Sequence, residues 1–257
     1  PPPAPAPRPH PPAGPAARPR RIGHHALLLR TPRGAVLWCD VRPGALGPLG
    51  LTLDRPPDGP DTDTRWALEP EGRTIDLDHG GRIALDQART AMWDEVRVLP
   101  GPCTDRRAAA PCWPHEPARD PVRVAFLEAR TRWMTALATG LRADDARALL
   151  GLGPGLTPSG DDLLGGFVCL RAACGALPPD FVSALTAEAA RSTHTISQAR
   201  LAHHLRGEGS VAECDLVRAR RDGRDASPSV EALRAFGHHS GDDFYDGARI
   251  ALWSLRA

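Results

Sequence analysis

The chain contains neither lysine nor asparagine among its 257 residues, so apart from histidine its basic side chains are all arginine. Without lysine no Schiff base can form on the chain, and a phosphate loop of the Walker A type is excluded because its Lys is missing. No apolar run approaches the roughly 20 residues of a membrane-spanning helix, so no membrane partner is expected. The formal net charge is only +1. A nucleic-acid partner is not expected either, because such partners usually call for a basic excess. The six cysteines include no Cys-x-x-Cys pair, and the doublets His24–His25, His203–His204 and His238–His239 do not give zinc-ligand spacing with them. No secretory apolar segment stands ahead of the cysteines, so the expectation is a reduced, cytoplasmic protein. Cys103 and Cys112 could pair in a proline-rich stretch, but two free thiols are the simpler reading.

What is abundant is glycine and proline, and one stretch concentrates both with polar residues. GLGPGLTPSGDDLLGG, Gly151 to Gly166, holds six glycines and two adjacent aspartates and leads straight into an apolar run. Ser159 is a good helix N-cap, and Asp162 follows at capping-box spacing. The segment reads as a glycine-rich loop feeding a helix N-terminus, where free N–H groups and the helix dipole favour an anion. GLGPGL is a poor dinucleotide fingerprint, since a helix-like segment rather than a strand precedes it.

The tail of this stretch recurs 81 residues later, SGDDLLGG at Ser159–Gly166 becoming SGDDFYDG at Ser240–Gly247. Asp162 and Gly166 are four residues apart and share a helix face, so the glycine would let another helix or a ligand come close to the carboxylate. Two similar helix starts that face each other are the expectation.

Residues 1–20 are too rich in proline to build helix or sheet ladders and are expected to be a disordered tail. From about 22 to 99 short apolar runs punctuated by glycine and proline read as strands, with the clearest hairpin at Ile75–Leu77 and Ile83–Leu85. Pro100 to Pro121 reads as a connector. Beyond it helices are expected at 122–139, 144–150, 163–174, 181–192, 196–205, 211–220, 230–236 and 243–255, a compact bundle. In the first, Val122, Phe126, Ala129, Trp133, Met134 and Leu137 fall near one face. The expected class is α+β, a β-rich N-terminal unit followed by an all-helical C-terminal bundle. The expected domains are a tail at 1–20, a β-rich domain with its connector at 21–118, and a helical domain at 119–257.

For Gly153, Gly155, Leu156, Thr157, Ser159 and Gly160 the functional reading is a loop whose N–H groups and hydroxyls hold a phosphate or carboxylate of a small anionic substrate. The plain alternative is a tight, well-capped connection between helices. Asp161 and Asp162 repel an anion, so they could instead bind Mg²⁺ or accept hydrogen bonds from an –NH₂ group. Adjacent residues point about 100° apart on a helix, so one of the two, Asp162, is expected to face the site. Asp243, with Ser240 and Gly241 before it, follows by the echo. His238 is the acid–base candidate, because histidine titrates near neutral pH. Thr193, Thr195 and Ser197 could line the site or simply cap a helix. Arg191 and Arg200 could pair with an anionic substrate or with neighbouring carboxylates.

Taken together, GLGPGLTPSGDD at Gly151–Asp162, THTIS at Thr193–Ser197 and GHHSGDD at Gly237–Asp243 resemble the AllH-like family, the smallest of three kinds of subunit associated with oxamate carbamoyltransferase. Their order and spacing agree from about Ile22 to the C-terminus. His239 stands where the family usually has serine. The resemblance implies reversible carbamoyl transfer between oxamate and phosphate through carbamoyl phosphate, in anaerobic allantoin breakdown, with other carbamoyltransferase subunits as partners. The S-T-R-T-R phosphate motif of ordinary carbamoyltransferases is absent. Two other readings stand beside this one: a Mg-dependent hydrolase-like bundle built on the four aspartates, and a non-catalytic binding or assembly subunit.

Overall fold

The computed structural model describes, with their side chains, residues 47, 48, 50, 94–105, 111, 120–154, 157–235 and 239–256; between 20 and 84 it describes the backbone of seven strands. The helices are α1 (Pro121–Leu137), α2 (Ala143–Ala146) with a 3₁₀ turn at Arg147–Leu149, α3 (Ser159–Ala173), α4 (Pro179–Ser192), α5 (Thr195–His204), α6 (Val211–Arg221), α7 (Ser227–Arg234) and α8 (Ser240–Ser254). Their starts are local. Asp120 accepts from the Val122 amide at 3.0 Å, with Pro121 in the first turn of α1. Ser210 and Glu213 form a reciprocal capping box on α6. Proline opens α4 and lies in the first turn of α7.

The centre of the molecule is α3. From Ser159 to Leu170 every residue of it is buried, which marks a helix enclosed by others rather than one lying on a surface. Its most extensive partner is α8. At their crossing a Cβ on Gly166 would collide with the Phe244 carbonyl, and one on Gly247 would collide with the Leu163 carbonyl. Phe244 is Leu163 carried 81 residues on, so the repeated motif builds a pseudo-twofold contact. The glycines are needed because the backbones approach too closely for any side chain. Around the pair, Trp133 of α1 meets Phe167 edge-on with ring centroids 4.6 Å apart. Arg130 bonds Asp246 at 2.9 Å, tying α1 to α8. Phe126, Ala129, Trp133 and Leu137 are buried as expected on α1, but Val122 is exposed and Arg130 takes an inward position.

Residues 94–105, which the sequence suggests as the end of a strand-like stretch and the start of a connector, are fastened to the helices. The Val98 amide donates to the Gly207 carbonyl at 2.8 Å, and the Gly209 amide donates to the Val96 carbonyl at 3.0 Å. Arg218 of α6 donates to the carbonyls of Asp94, Glu95 and Arg97. Val96 and Val98 are buried.

The strands are β1 (Arg20–Ile22), β2 (Ala26–Arg30), β3 (Val36–Asp40), β4 (Gly50–Thr52), β5 (Trp66–Leu68), β6 (Thr74–Leu77) and β7 (Arg82–Ala84). Their backbones pair as β1-β2-β3-β4 and, separately, β5-β6-β7. In the second group Ile75 stands opposite Ile83. The expectation of an α+β protein with a β-rich N-terminal unit is nevertheless corrected. Of the residues described with their side chains, 66% are helical and 2% strand, with no sheet among them. Among the described residues the main buried cluster takes no residue from before Val98, and the first buried apolar side chain is Val96. Alternation in sequence shows only which residues could line one face; strands of three to five residues still need a second layer to make a stable unit. Here the helices close their core on one another, and α3, not a sheet, is its centre.

Candidate functional site

The glycine loop is shaped by its own packing. Gly151 and Gly153 have φ of 72° and 133°, values that other residues rarely adopt. A side chain at Gly151 would strike the Ser192 carbonyl, one at Gly153 the Ser159 amide, and one at Gly160 the Leu149 carbonyl. The Gly160 amide donates to the Leu152 carbonyl at 2.9 Å, folding the loop back on the start of α3. Three of the glycines are thus explained by close backbone approach. Gly155 and Leu156 lie outside the described residues, as does His238.

Ser159 does not cap its helix. It is the first residue of α3, after Pro158, and the helix has no side-chain cap. The capping-box expectation for Ser159 and Asp162 is replaced by something less local: both side chains are used across the helix crossing. Arg123 of α1 reaches Asp243 of α8, its Nη1 lying 3.0 Å from Oδ1 and 3.3 Å from Oδ2, and the same nitrogen is 3.4 Å from Ser159 Oγ. Arg200 of α5 reaches Asp162 of α3, Nη1 to Oδ1 at 2.8 Å. Ser240 Oγ is 3.3 Å from Thr157 Oγ1.

The two motifs therefore exchange contacts: the Ser159 hydroxyl helps stabilise the Asp243 carboxylate, and the Ser240 hydroxyl that of Asp162. Each aspartate is held by an arginine from a different helix. Asp162 and Asp243 are almost completely buried, at 3% and 1% exposure, and near enough that the charge of Asp243 acts on Asp162.

Burial in this setting disfavours the carboxylate form. It pushes Asp162 up to about 7, Arg200 and Ser240 opposing the shift while Asp243 and Glu213 add to it. Asp243 is also raised by burial, with Arg123 and Ser159 opposing. His239, the N-cap residue of α8, lies where its charge favours ionised Asp243. Glu213 behaves oppositely. Burial works against its charge, but Arg200 and His204 together hold it well below the usual carboxylate range.

The adjacent aspartates divide their work. Asp161 accepts from the Gly151 amide at 2.8 Å and from the Thr193 hydroxyl, so it braces the loop against the α4–α5 turn. Burial raises its pKa, and the bonds from Thr193, Gly151 and Ser197 pull the other way. Asp242 points outward to Arg234 at 2.8 Å. The four aspartates thus do not converge, and among the described residues no group of three or more His, Cys, Asp or Glu side chains is arranged to hold a metal ion. Ser197 is buried in the first turn of α5, and Thr195 is half-buried at its first position. Gly241 packs against the Leu233 carbonyl. Arg191 is a surface residue paired with Glu188 at 2.6 Å.

Arg123 and Glu213 are the residues that sequence reasoning missed. Arg123, Phe126, Arg130 and Trp133 recur at helical spacing on the core-facing side of α1, a signal that two arginines point inward. Ser210 and Glu213 carry capping-box spacing, but nothing local ties Glu213 to Arg200, which lies 13 residues earlier and on another helix.

No curated protein and no solved structure matches the chain. Residues 149–252 match the family model described as oxamate carbamoyltransferase subunit AllH, a narrower span than the resemblance from Ile22 onward. That span carries the loop, α3 to α7 and nearly all of α8, with both Ser-Gly-Asp-Asp elements and the crossed serine–aspartate contacts between them, and over it the chain is similar to that family.

Proposed function

We propose that the chain is a subunit of a carbamoyltransferase-type enzyme, of the kind that moves a carbamoyl group between phosphate and a small carboxylate amide such as oxamate, and that it works with other subunits. The support is the AllH family match together with one observation. Asp162 and Asp243 are buried side by side at the start of two crossed helices, each held by a single arginine. Burying a carboxylate is costly even when an arginine pairs with it, and groups perturbed in this way cluster at functional sites. In this reading Asp162 and Asp243 orient or polarise the reacting amide, while Thr157, Ser159, Ser240 and the loop N–H groups position the anionic end of the substrate. Because Asp161 and Asp242 are engaged elsewhere, the four-aspartate Mg²⁺ reading has less support than this one.

The test is an assay of carbamoyl transfer from carbamoyl phosphate to oxamate, run on the chain alone and with the products of its neighbouring genes. The expected result is activity in the mixture, lost on Asp162→Ala while the helical content of the variant stays native. Full activity of the mixture with that variant would make this chain an assembly subunit instead.

A further inference from the structure

One atom of the site has no account in the contacts above. Asp162 Oδ2 is buried and accepts no hydrogen bond among the described residues, although the Ser240 hydroxyl lies close enough to favour the charged form. The other oxygen, Oδ1, takes the bond from Arg200. An arginine facing a carboxylate commonly forks onto both oxygens. Here it is held back: Arg200 Nη2 lies 2.5 Å from Glu213 Oε1. Glu213 is fixed in turn, Oε2 accepting from the Ser210 amide at 2.7 Å, with His204 Nε2 3.4 Å away. His204 is itself packed against Gly165 and the Phe244 ring.

We propose that Glu213 is a positioning residue that acts through Arg200 on Asp162. By occupying half of the guanidinium it confines the arginine to Oδ1, and leaves Oδ2 as the atom at which Asp162 exchanges a proton with an amide nitrogen of the ligand. The ligand class rests on the carbamoyltransferase reading; the Glu213–Arg200–Asp162 arrangement does not.

The groups that face Asp162 are Arg200 from α5, Glu213 from α6, and Ser240 and Asp243 from α8, with Arg123 of α1 engaged on Asp243. Two carboxylates and burial outweigh one shared arginine, so Asp162 is half-protonated near neutrality. In transfer toward phosphate, a phosphate oxygen bonds to the carbamoyl carbon, the C–N bond to the leaving amide breaks, and its electron pair goes to nitrogen. The proton on Oδ2 moves to that nitrogen and Asp162 is left as a carboxylate. The reverse reaction returns the proton to Oδ2 as the amide attacks.

Infrared difference spectra of the full chain without substrate, taken on both sides of neutral pH, test the arrangement. The wild-type protein is expected to show a protonated-carboxyl C=O stretch that disappears as the pH rises through about 7 and is missing in Asp162→Asn. In Glu213→Gln the arginine is released toward Asp162 and one negative charge is gone, so the midpoint should fall by about one pH unit or more. Arg200→Gln should move it the opposite way. No such stretch in the wild type, or an unchanged midpoint in a natively helical Glu213→Gln, overturns the proposal. Absence of the stretch in the wild type overturns the proposal even if both variants fail to fold. A chain that titrates as expected but supports no carbamoyl transfer in any mixture refutes the functional reading and the ligand class, and leaves the positioning of Asp162 by Glu213 standing.

Discussion

Gly166 and Gly247 stand in reciprocal positions across the α3–α8 crossing, each lying against a main-chain carbonyl of the other helix. The neighbouring atoms are backbone and cannot swing aside, so an added methyl must push the two central helices apart. Gly166→Ala and Gly247→Ala are each expected to destabilise the protein by about 1–3 kcal/mol or more, the usual range for overpacking a tight core. The double variant should fall short of the sum, because the first separation relieves the second clash. Gly101→Ala, where the new methyl would meet only the end of the Arg221 side chain at 3.5 Å, should stay within about 0.5 kcal/mol. Denaturant midpoints measure all four.

Stability should depend on pH through Asp162. Its pKa is about 7 in the folded chain against an ordinary 3.8. Between those values the folded state keeps a proton that the unfolded state has released. The stabilisation is therefore complete below the lower value and is lost as the pH rises to about 7, at no more than about 1.4 kcal/mol per pH unit. Asp161 and Asp243, also raised, act in the same direction. Glu213, held low, acts oppositely, its contribution being lost on acidification below its ordinary value of 4.5. Asp162→Asn removes only the first contribution. Thermal unfolding of wild type and variant from acid to neutral pH should show the wild type losing stability relative to the variant; parallel curves would refute the assignment.

Arg123 compensates a carboxylate that water scarcely reaches. Its side chain is 14% exposed and that of Asp243 1%. Removing one partner of a buried pair leaves an unbalanced charge, at a cost of about 3–5 kcal/mol. Arg123→Ala should lower the unfolding midpoint accordingly, and adding Asp243→Asn should restore part of the loss. If the double variant is no more stable than Arg123→Ala, the pair is not what holds α1 to the start of α8.

Thr193 donates its hydroxyl to Asp161, which also accepts from the Gly151 amide. Thr193→Val preserves the shape and deletes the donor, so a buried carboxylate loses a partner. A cost of about 1–3 kcal/mol is expected, growing as the pH rises because the lost donor stabilises the ionised form of Asp161. Hydrogen exchange at the Gly151 amide should accelerate in this variant, because its bond to Asp161 steadies the loop.

The helices were legible in the sequence because their signals are local. Ser210–Glu213, Asp120–Pro121 and the apolar spacing of Phe126, Trp133 and Leu137 each act within a turn or two. The echo at Ser159 and Ser240 also announced two like helix starts, and these do meet. The strand-like alternation before residue 99 was equally visible, but it could not say what the strands would pack against. The roles of Ser159 and the paired aspartates were hidden for a related reason. A serine followed by Asp three residues on looks like a cap in isolation, and only the crossing of α3 with α8 turns Ser159 toward Asp243 and Arg123.

What the sequence determined by itself is the set of helices, the repeated motif and the absence of lysine, which obliges any buried carboxylate that pairs with a non-titrating cation to find an arginine. What the tertiary structure alone decided is which arginine: Arg123 for Asp243 and Arg200, shared with Glu213, for Asp162. These partners come from helices 120 and 38 residues away in the chain. Their pairing depends on how closely two glycine-faced helices can cross, a distance set by backbone contact and not by any short-range pattern of residues.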